Sequence, residues 1–186
     1  MSRSPSFGFT IIEVLITTAL FVVLVVGIVQ LYVVFGRMVS FESLSIGSSL
    51  SASAIIDAAR TAGLEADHIV ASHAFSGVTY TTGTTTAVFE LPAIDASGAP
   101  LTNTYDYVGI YATGTSAYSI TDAAAGSARL SGTKVLTNAL TALTFTYNQS
   151  DVTLATSTTV DATTTASVIG QATDMHIREN IYLRNL

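Results

Sequence analysis

The chain has no cysteine. Disulfides, thiolate metal sites and cysteine nucleophiles are excluded together. The compartment stays open, because an exported domain with an adequate core folds without cross-links. Charge is also scarce: only 11% of residues are charged, against about a quarter in an ordinary soluble domain. Beyond Arg3 the cations are Arg37, Arg60, Arg129, Lys134, Arg178 and Arg184, scattered along a chain of net charge −6. They form no stripe that could neutralise phosphates, so nucleic acid is not an expected partner. Proline is confined to Pro5, Pro92 and Pro100, which leaves residues 9–62 free of helix breakers.

Signatures of chemistry are missing as well. There is no Gly-x-Ser-x-Gly, no P-loop and no paired-glycine nucleotide loop. His68 and His73 stand five apart near Glu65 and Asp67. They lack the helical spacing that pairs two ligands with a third, and both read as solvated turn residues. His176 alternates with the apolar face of the last strand and reads as solvent-facing. Asp95, Asp122, Asp151 and Asp161 read as loop residues without the Asp-x-Asp-x-Asp run of a calcium loop. The expectation is no enzyme, no metal and no cofactor.

What is present is apolar, 49% of the chain, and much of it is local. Residues 14–36 form a stretch of 23 residues without a charge. As a helix this spans about 34 Å, enough to cross a hydrocarbon core of about 30 Å. A short polar segment, Met1-Ser-Arg-Ser-Pro-Ser-Phe-Gly8, precedes it. An ordinary secretory signal has a shorter apolar run followed by a small-residue cleavage site, and neither holds here. A plain signal anchor fits the length but gives no reason for Glu13, since a carboxylate at the edge of an apolar span is costly and points to a partner or a role.

The run Gly8-Phe-Thr-Ile-Ile-Glu13 resembles the cleavage motif of type IV prepilins and pseudopilins. The resemblance implies cleavage between Gly8 and Phe9 by a prepilin peptidase and N-methylation of Phe9. It also implies that Glu13, the fifth mature residue, pairs with the terminal amine of a neighbouring subunit. Ile11 stands where the family usually has leucine, a conservative departure. The plainer reading of Glu13 is a helix-start carboxylate that favours the helix dipole.

After Arg37 the sequence reads as an amphipathic helix to Ala62. Leu44, Gly47, Ser51, Ile55, Ala58 and Ala62 form one row and Ile46, Leu50 and Ala54 an adjoining one. Asp57 and Arg60 make a surface pair, and Gly63 is the expected stop. Beyond it the period changes to alternation. Strands are expected over residues 86–91, 104–111, 116–121, 139–147 and 175–184, the last with Glu179 interrupting its apolar face. The Thr-rich tracts at 151–168 and 81–86 read as hairpin or exposed loop, either one variable surface or glycan acceptor. Asn148-Gln-Ser150 fits a glycosylation sequon.

These elements define an α+β chain in which a long N-terminal helix, about 9–62, packs on a C-terminal antiparallel β-sheet domain. Its parts are a leader (1–8), a transmembrane or filament-core half-helix (9–36), an amphipathic half-helix (37–62) and a β-rich domain (63–186). Residues 127–147, followed by a hairpin and a closing strand that ends in Arg184, resemble larger minor pilins and J-type pseudopilins. The resemblance implies a non-enzymatic, minor subunit of a type IV pilus, a secretion pseudopilus or a DNA-uptake pseudopilus. Its partners would be prepilin peptidase, other pilin subunits, an inner-membrane assembly platform and, before assembly, membrane lipid. It would be held in the inner membrane with the β domain outside the cytoplasm, then moved into a filament. The alternative is a membrane-anchored binding domain or adhesin that never polymerises.

Overall fold

A computed structural model describes residues 10–168 and 171–184. The chain divides into two compact units, with the boundary between Glu42 and Ser43. One α-helix, α1, runs from Ile11 to Glu65. Among the described residues ten strands follow: β1 (His68–Ile69), β2 (Ser72–Phe75), β3 (Val78–Thr81), β4 (Thr86–Ile94), β5 (Pro100–Thr113), β6 (Ser116–Asp122), β7 (Gly132–Thr137), β8 (Leu140–Tyr147), β9 (Ser157–Val168) and β10 (Gln171–Tyr182). The class is α+β, as the change of period implies.

The strands form a five-stranded sheet, β1-β4-β5-β6-β7, a three-stranded sheet, β10-β9-β8, and a separate β2–β3 hairpin. Every pairing is antiparallel. Backbone bonds stitch the two sheets together: Phe145 N–H donates to the Thr84 carbonyl at 2.7 Å and Leu140 N–H to that of Thr115 at 2.8 Å.

The core is built from α1 and both sheets. Ile55, Ile56, Ala59 and Ala62 of the helix meet Phe89, Leu91 and Ile110 of one sheet and Leu143, Phe145, Val160 and Ile181 of the other. The buried helix face is Leu44, Ser48, Ala52, Ile55, Ile56, Ala59, Ala62 and Gly63. This corrects the expected rows, because Ile46 and Leu50 are 67% and 70% exposed. Small residues face inward because two sheets converge on this part of the helix, and bulky side chains would hold the strands off.

Gly63 is not the stop. The helix continues to Glu65, and a Cβ at Gly63 would lie 2.5 Å from Ile181 Cγ2. Glycine is there for close approach of β10. The tract at 151–168 is not an exposed loop either, since most of it is β9, the central strand of its sheet. Thr158, Val160, Ala162 and Thr164 alternate into the core. The buried Thr164 hydroxyl donates to the Ser48 carbonyl of α1 at 2.7 Å, which satisfies a polar group that burial would otherwise penalise.

In β5, Asp106, Val108 and Ile110 lie on one face and Tyr107, Gly109 and Tyr111 on the other. The second face is covered by the β2–β3 hairpin. Its Ser76–Gly77 turn has positive φ at both residues, 48° and 85°, as a two-residue hairpin loop requires. Phe75 lies over Gly109, where a Cβ would meet its ring at 3.2 Å.

Candidate functional site

The helix begins where its first polar residues can close the turn. Thr10 and Glu13 form a reciprocal capping box. Thr10 N–H and its hydroxyl donate to Glu13 Oε2 at 2.9 and 3.0 Å, and Glu13 N–H donates back to Thr10 Oγ1 at 3.3 Å. The carboxylate also sits in the first turn, where the helix macrodipole favours negative charge. Among the described residues no donor reaches Oε1, so one carboxylate oxygen is committed to the helix start and the other is open. The sequence reading missed Thr10, although the Thr-x-x-Glu spacing was the available signal. Gly8 and Phe9 lie outside the described residues.

From Val14 to Phe35 the large apolar side chains are exposed all around the helix, and its most apolar 18-residue window has a mean hydropathy of 2.8 with none of it buried within the chain. The helix is long and apolar enough to cross a membrane. Three of its hydroxyls are already satisfied: Thr17 donates to the Glu13 carbonyl at 2.7 Å, Thr18 to that of Val14 at 2.7 Å and Ser40 to that of Gly36 at 2.9 Å. Such back-bonding lets these residues enter an apolar medium without an unpaired donor. Gly27 and Gly36 have open space around them.

In the β-containing unit His68 and His73 differ from their expected setting. His73 is no solvated turn residue: it lies in β2, stacks on Tyr107 at 3.7 Å and bonds Asp122 at 2.9 Å. His68 lies in β1, 3.5 Å from Glu90. His176 is exposed, as expected, and pairs with Asp161 at 2.6 Å. Asp122 and Asp161 are strand residues rather than loop residues. They had looked like loop positions because polar neighbours surround them in sequence. Among the described residues no three His, Asp or Glu side chains converge on a metal-binding point.

The β-containing unit is organised around Arg129, a group that sequence spacing could not single out. Its guanidinium donates to Asp106 Oδ2 at 2.7 Å, to the Pro92 carbonyl at 2.7 Å and to Glu65 at 2.8 Å. Asp106 is fully buried. It also accepts from Ala124 N–H and the Ser127 hydroxyl, both at 2.7 Å. Arg60 plays a similar part on the helix. Beyond its expected contact with Asp57 it donates through Nε to Glu179 at 2.7 Å, which explains the carboxylate interrupting the apolar face of β10.

Asn148 is also occupied. Its side-chain amide donates to Thr156 Oγ1 at 2.6 Å and its oxygen accepts from Thr156 N–H at 3.0 Å, so the sequon amide is a strut for the β8–β9 connection. A groove of about 610 Å³ lies between α1 and the five-stranded sheet, with Leu50, Ala54, Ala58, Val108 and Leu136 among its walls. Compared with known family models, curated proteins and solved structures, the chain gives no match.

Proposed function

We propose that this chain is a processed subunit of a membrane-assembled filament of the type IV pilin or pseudopilin kind. The observation that carries the reading is the first half of α1, apolar on every side and closed at its start by the Thr10–Glu13 box. A helix of that kind is satisfied only by lipid or by other apolar helices. A subunit stored in a membrane and later drawn into a helix-cored filament uses both.

Cleavage between Gly8 and Phe9 leaves the Thr10 amide intact, so the capping box survives processing. Glu13 Oε1 remains open to the methylated Phe9 amine of a neighbouring subunit, a charge pair that compensates for desolvation in an apolar core. The β-containing unit lies outside the cytoplasm and carries no chemistry of its own; the role is structural. Prepilin peptidase, other subunits and an inner-membrane assembly platform are the partners. The order of residues 127–147 and the closing strand supports a minor subunit.

The rival is an anchored binding domain that stays in the membrane, a reading favoured by Glu13 being bonded within its own chain. Mass spectrometry of the N-terminus separates the two. A methylated Phe9 terminus is expected, and a Gly8 replacement should abolish it. Retention of residues 1–8 in the wild-type chain sinks the proposal. Glu13→Ala should be cleaved yet fail to assemble; normal incorporation of this variant removes the role assigned to Glu13.

A further inference from the structure

The inner face of the five-stranded sheet is not fully covered. Ala58, Val108 and Leu136 pack against the core yet stay partly open, and Leu50 is 70% exposed. With Ala54 they wall the groove of about 610 Å³ between α1 and the sheet. Sites for small ligands usually enclose about 300–1,000 Å³ and combine apolar walls with a few placed polar groups.

The two sides of the groove carry different charge. On the helix side Asp57 is held by Arg60 and Glu65 by Arg129, each at 2.8 Å. On the sheet side stands Lys134, which makes no ion pair among the described residues. Its cross-strand partner is Ser119, and Ser119 and Thr121 line the same wall. An ammonium beside apolar walls attracts an anion more strongly than one in open water, and hydroxyls add donors. We propose that the groove binds a single-chain carboxylate amphiphile, its headgroup at Lys134 and its methylene chain along Ala54 and Ala58. This inference does not depend on the filament-subunit reading.

The occupant follows from three properties of the walls. A single ammonium balances one negative charge, whereas a phosphate dianion is better held by arginine forks, and Arg60 and Arg129 are already committed to carboxylates. A polypeptide would bring N–H and C=O groups that need partners. The helix wall has none to give, because its backbone bonds close within α1, and a methylene chain asks for none. Asp57 and Glu65 set the direction of binding, since they repel an anionic headgroup from the helix side.

The test uses the full-length chain in phosphatidylcholine nanodiscs. A palmitate carrying a photoreactive diazirine is added, and cross-linked residues are mapped by mass spectrometry. Labelling is expected within residues 50–62 and 108–136. Lauric acid should compete it away at least several-fold, and lauryl alcohol and laurylamine, matched for membrane content, should not. Lys134→Met should lower groove labelling several-fold with an unchanged melting midpoint, and Lys134→Arg should retain it. Ala58→Leu, which narrows the channel, should also lower it; if that variant folds poorly, Lys134→Met decides. Labelling confined to residues 14–36 would reflect membrane contact alone and overturns the site. Equal competition by laurylamine, or labelling unchanged in Lys134→Met, overturns the carboxylate assignment. Loss of groove labelling in phosphatidylglycerol nanodiscs overturns the single-chain ligand in favour of a membrane phospholipid.

Discussion

Glu13 combines two demands that a single carboxylate seldom meets. Oε2 closes the first helical turn through Thr10, and the open Oε1 is the oxygen offered to a partner. Thr10→Val removes both side-chain bonds and should fray the helix start, whereas Thr10→Ser should preserve it; amide exchange over residues 11–15 in micelles distinguishes them. Gly63 poses a different residue-scale question. Alanine there should gain helix propensity of about 1 kcal/mol, yet its Cβ would meet Ile181 Cγ2 at 2.5 Å. We expect Gly63→Ala to destabilise the folded chain by about 1–3 kcal/mol, as overpacking does, and Gly63→Ala/Ile181→Ala to cost less than the sum of the single changes. Additive melting shifts in that cycle would remove the steric account. The Thr-x-x-Glu spacing was readable in the sequence. The clash was not, because Gly63 and Ile181 are far apart in the chain.

At the scale of elements, Arg129 is the tie whose loss should matter most. Arg129→Met leaves the buried Asp106 without its ionic partner, and removing one member of a buried pair typically costs about 3–5 kcal/mol. Denaturant unfolding should show that loss, with residues 123–131 becoming open to limited proteolysis. A change under about 1 kcal/mol would mean that Ala124 and Ser127 hold the carboxylate adequately by themselves. The connection from β8 to β9 gives a second check: Asn148→Ala should lower the melting midpoint, and intact-mass analysis of the exported wild-type chain should find Asn148 unmodified, since its amide already bonds Thr156. Neither role was legible from spacing. Asp106 sits among alternating tyrosines and reads as a surface acid until the sheet turns it inward. The hairpin over β5 was missed for a similar reason, although the Ser76–Gly77 turn marks it once strand pairing is known.

Taken as a whole, the molecule should be most stable across the neutral range. The Arg60 guanidinium holds the Glu179 carboxyl below its ordinary range. The Ser97 hydroxyl and the Ala99 and Ser97 amides do the same for Asp95, and the Thr153 hydroxyl and amide for Asp151. Depressed carboxylates stabilise the fold above their ordinary pKa of about 4 and lose that contribution as pH falls through the lower folded values. The phenols move the other way. Burial, aided by Glu90 and Tyr80 respectively, pushes Tyr107 and Tyr111 up to about 12. Their contribution is complete below about 10 and disappears as pH rises toward the folded value. Melting midpoints should therefore be level between about pH 5 and 9 and fall on both sides. Arg60→Met should weaken the acid-side fall, and a profile unchanged by it would remove Glu179 from the account. The sequence by itself determined the apolar span, the boxed helix start and the α+β class, because each follows from local hydrophobic period and short-range bonding. Tertiary structure decided which helix face is buried, why small residues line it, that a Thr-rich tract is a central strand, and that Arg129 and Asp106 form the internal tie. Those outcomes depend on distant segments supplying burial and hydrogen-bond partners that no local pattern encodes.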